Sequence, residues 1–328
     1  MLNSFLRPIL IGVLCFVCGA CSSLGERLAS PDAARSAAAL KKFSGMTYPG
    51  QEEVIGASLS DLNSSVPARR RVAVAALVKI GSRAVPSLVA VVKGTDTVAA
   101  SSGISVLGGM GGEAYSAVPE LVAVMNGVHP ELASAAEDAI VKIGARAVQA
   151  LIDNFEGSDF VVEQRCRRVI SRIGGRAAKA LGEGILTVNK RIRTKLYLLL
   201  LSIGDGASIE DALPSIISAF SSPDQDNKFL WALVDKIGAP AVPWLVSNLK
   251  NEGLHTRRIS MDILTRAVYR FNCPLEDFVS ELLAVAEEDP DETIRRDANS
   301  LLERDPKAWA KSVSIVKRRE ADARRKPE

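Results

Sequence analysis

The sequence predicts an all-α protein made of repeated helical hairpins, and three observations carry that expectation. Of the 328 residues, 47% are hydrophobic but only 5% are aromatic. An apolar content built on Ala, Val, Leu and Ile suits closely packed helices better than a β-sandwich, which favours aromatic and β-branched strands. An apolar-glycine pair recurs along the chain, and stripes of helical period flank it on both sides. The chain is too apolar to be disordered and long enough to bury a large core.

Residues 1–20 hold one positive residue, Arg7, followed by an apolar run of 13 residues from Pro8 to Ala20. That is the plan of a secretory signal peptide. A spanning helix needs ~20 apolar residues, so a retained transmembrane anchor is the weaker reading. Cys18-Gly19-Ala20-Cys21 resembles the lipobox of bacterial lipoproteins, and the resemblance implies a lipid anchor on Cys21 as the new N-terminus. Cys18 stands where Leu, Val or Ile is usual, and ordinary signal-peptidase cleavage after Ala20 would leave the same mature start. Ser22, in place of the Asp common in lipoproteins of the inner membrane, favours the periplasmic side of the outer membrane. Residues 21–50, rich in Ala, Ser and Gly, are expected to join the lipid-attachment Cys to the body as a flexible tether, with one short helix from Asp32 to Phe43.

The body, expected over residues 51–305, is periodic. Ile80-Gly81, Met110-Gly111, Ile143-Gly144, Ile173-Gly174, Ile203-Gly204 and Ile237-Gly238 recur at spacings of 30, 33, 30, 30 and 34. Such a period marks a repeat architecture. Before the glycine, Ala73, Ala76, Leu77 and Ile80 follow i, i+3, i+4, i+7; after it, Val85, Leu88, Val89 and Val92 do the same. Each unit therefore reads as two helices hinged at glycine, which tolerates the left-handed conformation that ends a helix. Pro86, Pro119, Pro214 and Pro243 sit at the starts of second helices, where a missing N–H costs little. The joints after Gly111 and Gly204 are three and five residues longer than the one after Gly81, and hairpin tips absorb such insertions cheaply. Weaker continuation reaches about residue 305, and residues 306–328 read as a charged C-terminal helix and tail.

The string from Ile104 to Leu121, with its Val-Leu, Met-Gly and Ala-Val-Pro-Glu-Leu elements, resembles the HEAT-like repeats associated with phycobilisome-lyase proteins. The resemblance implies a right-handed α-solenoid of about seven to eight HEAT-like hairpins, whose members are mostly scaffolds and binding surfaces. One fold hosts many roles, so it speaks weakly to function.

Convergent chemistry is scarce. His129 and His255 are about four repeats apart and cannot share a metal, and the His-Glu pairs with which some HEAT-repeat hydroxylases hold iron are missing, so no metal and no cofactor is expected. Cys166 falls in the slot held by Ala73, Ala136, Leu196 and Leu230 and reads as a small core residue; Cys273 precedes Pro274 in a loop. The two cysteines are too far apart to bridge. Trp231, Trp244 and Trp309 are too dispersed for an aromatic cage, and the Gly108–Gly112 string closes a helix rather than following a strand, unlike a phosphate-binding loop.

Charge is more informative. A net +3 hides a local +8 over residues 163–195 (ten basic, two acidic) and a local −8 over residues 276–305 (three basic, eleven acidic). The register sets Lys79, Lys142, Arg172 and Lys236 two residues before the glycine and Arg83, Arg146 and Arg176 two after it. The helix dipole favours a cation before the glycine but not after it. These seven residues are therefore expected to form a basic edge open to an acidic partner, lipid head groups or a polymer. The overall expectation is an exported, lipid-anchored scaffold without catalysis, serving a protein partner at the bacterial cell envelope and holding to the membrane through its lipid. A bilin-lyase-like enzyme, suggested by the repeat family, conflicts with export. Nucleic-acid binding would require that residues 1–20 not be a signal, and the export reading speaks against it.

Overall fold

The computed structural model describes residues 23–155, 159–219, 228–251 and 253–325; Cys21 and the signal-like segment lie outside them. All regular structure among the described residues is helical. The chain divides into two compact units, one ending at Ile173 and the other starting at Gly174.

In the first unit, long helices alternate with short ones. The long helices are Pro67–Ile80, Thr97–Met110, Pro130–Ile143 and Phe160–Ile173, each of 14 residues. The short ones are Val85–Val92, Val118–Met125 and Val148–Asp153. Each long helix packs against the next long helix, so the hairpins stack. The i, i+3, i+4, i+7 stripes meet between the two layers: Ala76, Leu77, Leu88, Ile104, Leu107, Leu121, Ile140 and Leu151 are all fully buried. Removing that apolar surface from water is the main favourable contribution to the stack.

The hinge differs in detail from expectation. Gly81, Gly111 and Gly144 have φ of 74°, 58° and 78°, but ψ between −136° and −145°. That is far from the left-handed helix and close to a region only glycine enters without strain. A 3₁₀ turn follows at once, Gly81–Ala84, Gly111–Ala117 and Gly144–Ala147, and its last alanine is buried at the joint. The insertion after Gly111 lengthens this turn to seven residues.

Residues 21–50 were expected to be a tether with one short helix from Asp32 to Phe43; that helix is present as Ala33–Ser44, and most of the rest of the described segment is helical and partly buried rather than flexible. Residues 23–28 are helical, and helices Ala33–Ser44 and Tyr48–Ser60 follow. Leu24, Leu28, Ala39 and Phe43 are buried. Asp32 caps its helix by accepting from the N–H groups of Ala34 and Arg35, and the Gln51 amide donates to the Phe43 and Met46 carbonyls at 3.1 Å. The Ala/Ser composition concealed a buried stripe at Ser36, Ala39 and Phe43 that is tied to Leu28 and Gln51, while Tyr48–Ser60 packs against Pro67–Ile80 as a terminal layer.

The second unit continues the pattern with Ala178–Thr187, Lys190–Ile203, Leu213–Ala219, Lys228–Ile237 and Ala241–Asn248. It ends with Leu254–Phe271, Val279–Glu288, Glu292–Arg304 and Pro306–Arg325. Gly174 and Gly238 keep a positive φ, but Gly204 is extended at φ −82°, ψ 139°. There the five-residue insertion starts a helix of its own, Gly206–Glu210, capped by the Asp205 carboxylate on the Ser208 N–H at 2.8 Å. The next hinge, 34 residues after Gly238, is Asn272 at φ 49°, ψ 43°. Asn is the non-glycine residue most at ease with a left-handed backbone, so a repeat that lacks the glycine signal is nonetheless present.

These backbones make opposite demands at two glycines. Gly238 has φ +79° with open space around a would-be Cβ, so Gly238→Ala should cost ~1–3 kcal/mol through the backbone alone. Gly56, inside Tyr48–Ser60, also has open space and no positive φ, so Gly56→Ala should stabilise by ~0.4–1 kcal/mol. Urea unfolding of the two variants beside the parent chain measures both.

Candidate functional site

The seven cations of the expected basic edge sit at the hinges, exposed, five in the first unit and two in the second. Four of them do not stand free. Arg83 donates to Gln51 Oε1, 32 residues back. Arg146 donates to the Gly112 carbonyl at 3.1 Å and lies 5.7 Å from the Tyr115 ring centroid. Arg172 holds Asp138 at 2.6 Å and Glu137 at 3.7 Å. In the second unit Lys236 donates to the Leu201 carbonyl. Lys79, Lys142 and Arg176 have no polar partner among the described residues. The residues two after the glycine, which the helix dipole could not explain, thus have a structural explanation at Arg83 and Arg146: both reach back to the preceding repeat.

The same offset recurs in a further set of charged and aromatic links. In the first unit Ser82 N–H donates to Glu113 Oε2 at 3.2 Å, Arg168 lies 3.6 Å from Glu137, and Lys93 pairs with Glu120. In the second unit Arg270 holds Asp235 at 3.0 Å, Arg319 holds Glu287 at 3.0 Å, and Arg258 pairs with Asp291. Arg266 lies 4.4 Å over Trp231, and Arg304 lies 3.4 Å over Tyr269. Each link spans about one repeat. Exposed pairs of this kind contribute ~0–1 kcal/mol each.

One pair is different because it is buried. Arg257 Nε meets Asp289 Oδ2 at 2.8 Å, and its Nη1 donates to the Asn251 carbonyl at 2.9 Å. Asp289 also accepts from the Asp291 N–H at 2.8 Å. Both side chains are nearly sealed from water, so losing one partner would strand a buried charge, at a cost of ~3–5 kcal/mol. Much of the acidic C-terminal block is thus structural: Asp289 and Asp291 in ion pairs, and Asp305 accepting from the Leu275, Lys307 and Ala308 N–H groups.

The other sequence candidates resolve as follows. Cys166 is fully buried in the core slot, a free thiol pushed up to about 11 by burial. Cys273 is a half-buried free thiol just past the Asn272 hinge. His129 is exposed at the start of Pro130–Ile143, and His255 is half-buried. No cluster of metal-ligating side chains occurs among the described residues. Trp244 and Trp309 are more exposed than a packing role implies, and Trp244 Nε1 donates to Glu210 Oε1 at 3.4 Å.

The Gly108–Gly112 string is explained by close approach. A Cβ on Gly108 would lie 3.0 Å from Ala139 Cα, and one on Gly109 would lie 2.8 Å from Val78 Cγ2. The Lys142 and Arg146 stems of the next repeat run over Gly108 and Gly112. Side chains would hold the three helices apart.

A surface that sequence reasoning missed lies on the short helices. Two outward positions, four residues apart, recur in the six glycine-anchored repeats and are exposed in each of them. In the first unit they are Pro86 and Ala90, Pro119 and Ala123, Gln149 and Asp153. In the second they are Lys179 and Glu183, Pro214 and Ser218, Pro243 and Ser247. The signal was in the repeat register, at the positions left over once the core stripe is assigned.

No family model matches the chain, and no curated protein matches it. Solved structures similar to it include one from work titled as a phosphorylation switch controlling the interaction between cadherin and beta-catenin. There the identity is 14%, the TM-score 0.44, and the match covers 85% of this chain and 63% of the other. Importin beta follows at 11% identity and TM-score 0.33, covering 86% of this chain and 43% of importin beta. A designed armadillo repeat protein follows at 15% and 0.22, covering 75% and 97%. The chain thus spans less than two thirds of the first two. The all-α repeat fold stands on the stacked hairpins themselves.

The capping carboxylates set an acid limit on the second unit. Hydrogen bonds from the Leu275, Lys307 and Ala308 N–H groups hold the Asp305 carboxyl below its ordinary value of 3.8, and the Arg258 guanidinium does the same for Asp291. A depressed folded value gives stability that is fully present above the ordinary value and is lost as pH falls through the folded one. The thermal midpoint should therefore drop between about pH 5 and pH 2.5, and drop less in Asp305→Asn, which carries no titrating group at that cap. Melting curves followed by circular dichroism at both pH values check this.

Proposed function

We propose that the protein is a non-catalytic scaffold whose short-helix face binds a protein partner, exported and anchored by lipid at Cys21 in the bacterial cell envelope. The observation that carries the reading is the paired rows of outward positions. In the first unit four of the six, Pro86, Ala90, Pro119 and Ala123, are small and uncharged, and Gln149 and Asp153 follow, so the first two short helices offer a low-relief surface that a partner segment can approach closely. Stacked repeats produce extended surfaces of this kind because equivalent positions align from one repeat to the next. The cationic hinge residues support it in a different way, since several are engaged with the neighbouring repeat and stiffen the platform. The lipobox resemblance at Cys18–Cys21 supports the address, and Ser22 supports the periplasmic side of the outer membrane.

Both parts are testable. Ala90→Arg combined with Ala123→Arg places two long cations on the face without touching the core. The double variant should keep its circular dichroism and melting midpoint but lose about tenfold or more in partner recovered by crosslinking in cells, the equivalent of ~1.4 kcal/mol. Equal recovery would remove the short-helix face from the account. For the anchor, metabolic labelling with a radioactive fatty acid should mark the parent chain and leave Cys21→Ala unmarked.

A further inference from the structure

The four long helices of the first unit are equal in length and aligned at their hinge ends, where Gly109 meets Val78 and Gly108 meets Ala139. Their starting ends therefore line one edge of the unit. That edge is apolar in a regular way. Val66, Val98, Val128, Phe160 and Val161, within two residues of the four helix starts, are between 48% and 88% exposed. At the other ends of the same helices stand the exposed cations Lys79, Lys142 and Arg172.

Two of these helices also lack the usual cap. Val66 and His129 occupy the N-cap positions of Pro67–Ile80 and Pro130–Ile143, and neither helix start has a side-chain acceptor. Ser, Thr, Asp or Asn there would stabilise the helix, so valine at a solvent-facing cap is a sacrifice of stability. Pro67 and Pro130 at the first helical positions carry no N–H, and the Arg69 N–H is taken up by the Val66 carbonyl at 3.1 Å, so what these starts present beside the positive pole of the dipole is chiefly apolar. Arg69 and Arg71 are exposed next to them. Asp96, which accepts from the Val98 and Ala99 N–H groups, and the exposed Glu131 stand at two of the same starts, so the edge is apolar with a mixed-charge rim, as at the boundary of a bilayer where acyl chains meet zwitterionic and anionic head groups.

The position of the chain's N-terminal end names the occupant. Gly25 lies at this edge, in a cleft of about 540 Å³ that it forms with Ala57, Ser60, Ala68, Arg69 and Val72. Cys21 is four residues earlier, and four residues of chain span at most ~14 Å. We propose that the starting edge of the four long helices lies against the lipid bilayer, with Val66, Val98, Val128, Phe160 and Val161 at the level of the upper acyl chains. The proposal rests on the lipid-anchor reading for its geometry, because a lipid on Cys21 brings this edge, rather than the hinge edge, within reach of the surface. The short-helix face then stays clear of the membrane and available to a partner.

An environment-sensitive fluorophore on Val128→Cys, compared with one on Lys79→Cys, tests this in the full chain. Both carry Cys273→Ser, while Cys166 is sealed in the core. With the protein in vesicles of phosphatidylethanolamine and phosphatidylglycerol, the label at 128 should shift to the blue and be quenched by lipids brominated high on the acyl chain. The label at 79 should do neither. If the acylated chain floats with the vesicles and the two labels behave alike, the edge proposal is overturned and the anchor reading survives. If the chain carries no acyl group and the label at 128 is still quenched on vesicles, in the parent and in Cys21→Ala alike, the anchor reading fails and the edge proposal stands. A blue shift that grows with protein concentration without vesicles assigns the edge to a second copy of the chain and overturns the proposal.

Discussion

The reversal of direction at the hinge is the constraint from which the remaining geometry follows. A backbone with positive φ and ψ near −140° turns the chain sharply, and the four-residue 3₁₀ turn after it delivers the next helix antiparallel and in contact. No side chain can be carried there without strain, which is why glycine recurs where the rest of the repeat is free to vary. Once the hinge is fixed, the apolar stripes face one another, and the positions left over fall into rows on each exposed side. The exceptions follow the same logic. Gly204 escapes the constraint because a short helix fills the corner, and Asn272 replaces it with a different turn, a left-handed backbone at φ 49°, ψ 43° that an Asn side chain tolerates.

Between repeats the stack is held by apolar contact and by a second, polar system. Many charged and aromatic side chains reach to the neighbouring repeat, beside a few pairs such as Arg167–Glu163 and Arg266–Asp262 that run along one helix. Singly these links are weak, being exposed and screened by salt. Their value lies in direction, since apolar surfaces tolerate sliding, whereas a guanidinium on a carbonyl or an aromatic ring fixes how one hairpin sits on the next. Arg257 and Asp289 are the exception in strength, a buried pair whose two members need each other.

The repeat, its hinge positions and the burial of Cys166 were legible in the sequence, because local periodicity encodes which side of a helix faces inward. Four things were not. The terminal layer over residues 23–60 was hidden by an Ala/Ser composition that looks like linker until Leu24, Leu28 and Phe43 are seen to converge. The Asn272 hinge was hidden because a motif anchored on glycine overlooks a turn built on a left-handed Asn instead. The partners of the hinge cations were hidden most deeply. A charge is visible in a sequence, but whether it faces water or a carbonyl one repeat away depends on how hairpins stack. The same holds for the outward rows on the short helices, which appear only after the core has been subtracted.

The glycines at 108 and 109 do more than admit their neighbours. Because a stack of this kind makes contacts only between adjacent repeats, its cooperativity is a chain of nearest-neighbour couplings, each as strong as the surface two repeats share. The absence of side chains where Thr97–Met110 meets Pro130–Ile143 lets these backbones approach more closely than any Cβ would allow. The coupling there is accordingly tight, and the middle of the first unit is where order would nucleate and from which it would propagate outward. The ends of that unit would then fray first, as a zipper opens, while its centre stays closed.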